Sequence, residues 1–271
     1  MELQVVLPDE SPSMGVGTLV ELAQAAEDLG FGTAWLPDHI LPPGEYGSAF
    51  GGVYEPLVTI AHLSAVARRI RFGTSVVVVP LRNPFVLAKQ VATVQELSAG
   101  RLSLGVGAGW AEPEFAAVGA EFSSRGAVTD DALALLRHLW SGDGAPYTGR
   151  RFSYEQGTFA PVPTTPVPIV VGGNSTAALR RAARFGDVWQ GLPADVDAFR
   201  ERRAVLAELA RGRTVAAALR ISWDGSSPVR AVIEQVDAYR EAGADAVAVH
   251  FGAVAGTRER MQEFMSAATS G

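Results

Sequence analysis

Residues 96–110 read "ELSAGRLSLGVGAGW": a helical pattern, a glycine that stops it, a short apolar strand, then glycine at every second position. The same grammar recurs in "EDLGFGTAWLPDH" (27–39), "ARFGDVWQGL" (183–192) and "REAGADAVAVHFG" (240–252). Glycine tolerates the left-handed backbone that closes a helix, so each one marks a stop. The strands that follow are continuous apolar runs, as befits parallel strands covered on both faces. Reading straight through places strands near 3–7, 32–36, 70–79, 101–107, 168–172, 187–190, 215–222 and 245–250, with helices between them. One helix, over residues 18–30, opens on Thr18-x-x-Glu21, a capping-box pattern. Another starts at Ser227-Pro228, with proline at the first helical position. Strands and helices alternating in this way predict a single-domain α/β protein, a (β/α)8 TIM barrel spanning 1–271. An open doubly wound sheet is the alternative, but it rarely needs so many units.

In such a barrel the loops that follow strands carry chemistry, and those that follow helices serve stability. The catalytic-side loops are therefore 37–54, 82–84, 107–125, 172–175 and 252–257, the first and third long enough to act as lids. The aromatic, proline-rich insertion 146–168 follows a helix. It is expected to form a small hairpin before the fifth strand, on the non-catalytic side.

Composition narrows the function. The chain is 48% hydrophobic, carries a net charge of −6 and contains no cysteine. Thiolate chemistry, disulfides and cysteine metal sites are excluded, and a nucleic-acid binder would show a basic stripe instead. With neither a signal-peptide pattern at the start nor an apolar run of membrane length, the expected location is cytoplasmic, without membrane contact. Lys89, the only lysine, lies inside a helical pattern and is expected to pack rather than to react. The histidines and carboxylates show no metal-ligand spacing and no Ser-His-Asp order.

Gly105, Gly107 and Gly109 do not make a dinucleotide fingerprint, because their spacing is wrong and no helix follows at once. They either leave room for a flat ring or relieve crowding inside the barrel. His39 ends the second strand at the catalytic mouth, where an imidazole can exchange protons near neutrality. His62 and His138 fall within helices, and His250, ending the last strand, is a weaker second candidate. Gly172, Gly173, Asn174 and Ser175 precede a helix start, where backbone N–H groups favour a phosphate. An ordinary glycine turn with a Ser175 N-cap is the plainer reading. Arg125 is expected to pair with Asp130 or Asp131.

"GRLSLGVGAGWAEPEF" followed by "SSRGAVTDDALALLRHLWSG" resembles the luciferase-like monooxygenase superfamily, and especially its coenzyme F420-dependent branch. "LGFGTAWLPDHI", "RIRFGTSVVVVPLRNPFVLAKQVATVQELSAGR" and "VPIVVGGNSTAALRRAARFGDVW" agree with it in order, from residue 1 to about 190. The resemblance implies a deazaflavin or flavin ring across the barrel mouth, backed by a non-prolyl cis peptide at Ser75–Val76. It places the cofactor phosphate at Gly172, Gly173, Asn174 and Ser175, and the ring beside Asp38, His39, Gly107, Ala108, Gly109 and Trp110. It makes His39 the proton partner, with Asp38 acting through the orientation of that histidine.

Trp110 stands where sugar-phosphate dehydrogenases of the branch carry glutamate, so it more naturally walls an apolar pocket. The expected protein is thus an F420-dependent oxidoreductase, a homodimer acting on a small organic substrate. The alternatives are an FMN-dependent monooxygenase or a flavin-binding barrel without turnover. The superfamily's large insertion after strand seven is missing here, where only "DGSSP" stands.

Overall fold

β1 (Glu2–Val6) lies between β2 (Thr33–Leu36) and β11 (Ala246–His250), and every pairing around it is parallel. The computed structural model describes residues 1–8, 14–42 and 54–269. From β2 the sheet continues to β3 (Arg71–Thr74). From β11 it runs through β10 (Ala216–Ser222), β9 (Val188–Gly191) and β8 (Ile169–Gly172) to β5 (Leu102–Gly107). Phe72 pairs with Leu102 and Gly73 with Ser103, which closes the sheet on itself. The third strand resumes as β4 (Val77–Val78), pairing Val77 with Val106 and Val78 with Gly107. The alternation thus resolves as the expected (β/α)8 barrel.

Helices α1 (Val16–Asp28), α2 (Pro56–Val66), α3 (Pro84–Leu97), α4 (Glu112–Ala117) and α5 (Arg125–Ser141) occupy the first half of the chain. After them come α6 (Thr176–Phe185), α7 (Val196–Ala210), α8 (Val229–Glu241) and α9 (Thr257–Thr269). None of the described helices is long and apolar enough to cross a membrane. Side chains on one face of each strand, such as Val5, Leu36 and Val249, pack against the helices in the main core. Those on the other face, such as Val6, Trp35, Val170 and Ala248, fill the barrel interior. Trp35 fits there because position 73 is glycine: a Cβ would lie 2.3 Å from the indole. Its Nε1 donates to Gln4 Oε1 at 2.7 Å, so the buried polar pair is satisfied.

Three local expectations are corrected. α1 begins at Val16 after Gly15 and has no side-chain cap, so Thr18 lies inside its first turn and no capping box forms. Pro228 is the N-cap of α8 rather than its first helical residue. Gly30, Gly100 and Gly243 do close helices with positive φ, whereas Gly186 is extended at φ −81°. Gly186 is needed for space instead, since a Cβ would meet Ala182 O at 2.9 Å.

The insertion forms the expected hairpin from β6 (Tyr147–Thr148) and β7 (Ser153–Tyr154). Asp131 on α5 holds its turn, accepting from the backbone N–H groups of Arg150, Arg151 and Phe152. His138 bonds Ala145 O and Tyr154 Oη, and Lys89 donates to Ala160 O beside the Phe159 ring. Both residues serve packing.

Candidate active site

The mouth of the barrel opens into a cavity of about 710 Å3. Asp38, His39, Ser75, Val76, Gly107, Ala108, Gly109, Trp110, Gly172, Gly173 and Ser175 all line it. These residues come from the ends of β2, β3, β5 and β8, strands that a closed barrel brings to one rim. Asn174 does not line it. Its amide is turned to the loop after β9, accepting from Leu192 N at 2.9 Å and donating to Leu192 O. Ser175 caps α6, accepting from Ala178 N at 3.1 Å.

Between β3 and β4 the Ser75–Val76 peptide is cis. The glycines of the opening motif answer to this break. A Cβ at Gly105 would lie 1.7 Å from Thr74 O. One at Gly107 would lie 2.6 Å from Val76 Cγ2, and one at Gly172 would lie 2.7 Å from Val76 Cγ1. So Gly105 makes room for the backbone of the third strand, and Gly107 and Gly172 flank Val76. Gly105 thus relieves crowding inside the barrel, while Gly107 and Gly109 also line the cavity beside Val76.

Asp38 is buried and does not orient His39, contrary to the expectation for it. Its Oδ2 accepts from Val78 N at 2.9 Å and its Oδ1 pairs with Arg82 Nη2 at 2.7 Å, tying the end of β2 to the resumed third strand. Arg82 Nη1 also lies 2.9 Å from Glu55 Oε1, close enough for an ion pair though not aligned as a hydrogen bond. The carboxylate facing His39 is Glu114, whose Oε2 stands 3.1 Å from Nδ1. The Trp110 ring meets the imidazole edge-on, with centroids 5.9 Å apart and planes at 76°.

A second polar chain crosses the interior. Ser75 Oγ donates to Gln190 Oε1 at 2.6 Å, and Arg220 Nη1 donates to Ser75 O at 3.0 Å. Gln190 and Arg220 also line the cavity, and Gln190 Nε2 is buried with no hydrogen-bond acceptor among the described residues. Arg125 lines the cavity but does not pair as expected. It lies over the Phe122 ring, 3.8 Å from its centroid, and donates to Phe122 O. Asp130 instead takes Arg181 Nε at 2.6 Å. His250 lies outside the cavity lining, and its Nδ1 accepts from Gly252 N. Burial, then Arg220 and Arg260, hold its pKa below the ordinary imidazole value.

Sequence reading missed Glu114, Gln190 and Arg220. Gln190 and Arg220 interrupt apolar strands, in "DVWQGL" and "AAALRIS", which is a usable signal. Glu114 in "WAEPEF" reads only as an acidic first turn.

The chain is 35% identical over 192 residues to an uncharacterized protein of Mycobacterium tuberculosis (strain ATCC 25618 / H37Rv), covering 66% of each chain. It is 33% identical over 192 residues to the F420-dependent glucose-6-phosphate dehydrogenase of Amycolatopsis mediterranei (strain U-32), covering 68% of this chain and 56% of that one. The matched region thus spans less than two thirds of either relative. Among solved structures, an F420-dependent secondary alcohol dehydrogenase in complex with an F420-acetone adduct superposes with a TM-score of 0.85. The match covers 98% of both chains at 18% identity, a likeness of fold. Residues 1–242 match the luciferase-like monooxygenase family, and the chain belongs to that family of oxidoreductases.

Proposed function

We propose that the protein is an F420-dependent oxidoreductase moving a hydride between the deazaflavin and a small organic substrate, with His39 as the proton partner. The observation that carries this reading is convergence. His39, the Ser75–Val76 break and the start of α6 open onto one cavity of about 710 Å3. That size falls within the ~300–1,000 Å3 typical of cofactor sites. The resemblance of the chain to a relative named for F420 favours the deazaflavin over FMN.

The residues present fit such a group. Gln190 Nε2 is a buried donor with no acceptor among the described residues, and leaving such a bond unmade costs about 1–3 kcal/mol. A ring bearing carbonyl oxygens would supply that acceptor. Ser75, Val76, Gly107, Ala108 and Gly109 would hold the ring. Gly173 (at φ +114°), Ser175 and the first N–H groups of α6 would hold the phosphate. When bound, the deazaflavin supplies or accepts the hydride. His39 then takes a proton from a substrate hydroxyl, or returns one to a carbonyl. Trp110, 51% exposed at the rim, offers an apolar wall with no proton acceptor. Apolar alcohols and ketones are therefore the expected substrates, rather than sugar phosphates.

The rival, an FMN-dependent monooxygenase, shares the family and the barrel. Fluorescence titration of the purified protein with F420 and with FMN separates the two, and tighter binding of FMN overturns the proposal. Gly173→Asp would place a carboxylate beside the phosphate and is expected to weaken F420 binding in a folded protein. Unchanged affinity would remove the phosphate from the start of α6.

A further inference from the structure

We propose that Glu114 sets the tautomer of His39, holding the proton on Nδ1 and so making Nε2 the basic nitrogen of the neutral ring. The proposal deepens the reading of His39 as proton partner and takes its catalytic meaning from it. Glu114 is 2% exposed, in the first turn of α4, and its two oxygens have separate tasks. Oε1 accepts from Ile40 N at 2.7 Å and from Leu41 N at 2.9 Å. Oε2 stands 3.1 Å from His39 Nδ1. A packing role accounts for the first oxygen, since it pins the chain after β2 against α4. The second oxygen faces a ring nitrogen, and an ionised carboxylate has no hydrogen to give. Nδ1 must therefore carry the proton, and in the neutral ring Nε2 keeps the lone pair.

The neighbouring acid cannot take this role, because both oxygens of Asp38 are engaged by Val78 N and Arg82. Trp110 meets the ring edge-on and helps to fix its plane. Glu114 is thus a positioning residue that acts through His39.

Glu114→Gln makes the inference specific. Backbone N–H groups can only donate, so Ile40 and Leu41 would keep the amide oxygen of glutamine on their side. The amide NH2 would then face Nδ1, which must accept, and the ring proton would move to Nε2. The shape is preserved while the tautomer is inverted. In a serine-protease triad the equivalent Asp→Asn swap lowers turnover by about 10⁴.

The test is read on the protein without cofactor, labelled with 15N-histidine, by long-range proton–nitrogen correlation in alkaline buffer where imidazole is neutral. Of the four histidines, His39 is assigned by the signal lost in His39→Gln. The wild-type protein is expected to show a protonated Nδ1 and a bare Nε2, and Glu114→Gln the reverse. Glu114→Ala, with no lock, is expected to give averaged shifts. A wild-type spectrum with the proton on Nε2 overturns the proposal by itself, even where a variant fails to fold. So does a folded Glu114→Gln that keeps the native pattern.

With a substrate in hand, Glu114→Gln should lower kcat by about 10²–10⁴-fold at nearly unchanged KM. A loss confined to KM would make Glu114 a packing residue only. Failure of F420 to bind would leave the spectra standing, and a wrong tautomer would leave the cofactor reading standing.

Discussion

Alanine at position 107 would place a methyl group 2.6 Å from Val76 Cγ2, inside any permitted carbon–carbon distance. Val76 is a side chain and can give way only by moving into its neighbours or the cavity. Overpacking of this kind costs about 1–3 kcal/mol, so Gly107→Ala should destabilise the fold by about 2 kcal/mol. At ~2–4 °C per kcal/mol for a chain of this size class, Tm should fall by roughly 4–8 °C. Val76 is only partly buried. Truncating it to alanine should cost about 1 kcal/mol in lost apolar burial. In the Val76→Ala background the same Gly107→Ala change should then cost less than about 0.5 kcal/mol, a coupling of ~1.5 kcal/mol between contacting residues. Gly105→Ala is the internal control, because its methyl would lie 1.7 Å from Thr74 O, a backbone atom that no side-chain truncation moves. That variant should be severely destabilised in both backgrounds. Urea denaturation of the four proteins in the 107/76 cycle measures the coupling. If Gly107→Ala costs the same with valine or alanine at 76, the glycine does not exist to admit Val76.

Asp38→Asn removes the charge partner of Arg82, whose remaining neighbour Glu55 is partly exposed, so a loss of about 3 kcal/mol is expected, at the low end for a broken buried pair. A urea-derived loss below ~1 kcal/mol would show that the clamp between β2 and the resumed third strand is dispensable. His39→Ala should slow turnover by about 10²–10⁴-fold while leaving F420 affinity nearly unchanged. Equal turnover in the variant would move the proton to solvent. His250, whose pKa is lowered by burial and by Arg220 and Arg260, binds a proton more readily in the unfolded chain. Stability should therefore fall as pH drops below about 6.5, the ordinary imidazole value, and His250→Asn should flatten that part of the curve in thermal melts across pH.

The barrel is readable because its cause is local. A helix-stopping glycine followed by an apolar run states one βα unit, and "ELSAGRLSLGVGAGW" does so without reference to the rest of the chain. The exceptions are local conflicts. Thr18 and Glu21 carry a capping pattern, yet the helix begins two residues earlier at Val16, after Gly15, and its buried face starts at Leu19. Gly186 ends a helix by fitting against Ala182 O rather than by turning left-handed. The candidate site divides along the same line. Residues at strand ends, such as His39, Gly107 and Gly173, are found once the strands are placed, because strand ends share a rim.

Their partners are not found, because hydrogen bonds at that rim skip the chain's own order. Glu114 reaches His39 across 75 positions, and Ser75 reaches Gln190 across 115. Gln190 shows why no local pattern could substitute. A parallel strand is apolar on both faces, so a lone glutamine in "DVWQGL" does not say whether it points to the helices or into the barrel. Its phase is set only by register, Gly172 opposite Gln190 on β8 and Ala218 opposite it on β10. With both neighbours small, the amide has room inside the barrel, where Ser75 donates to its oxygen and its nitrogen is buried without an acceptor among the described residues.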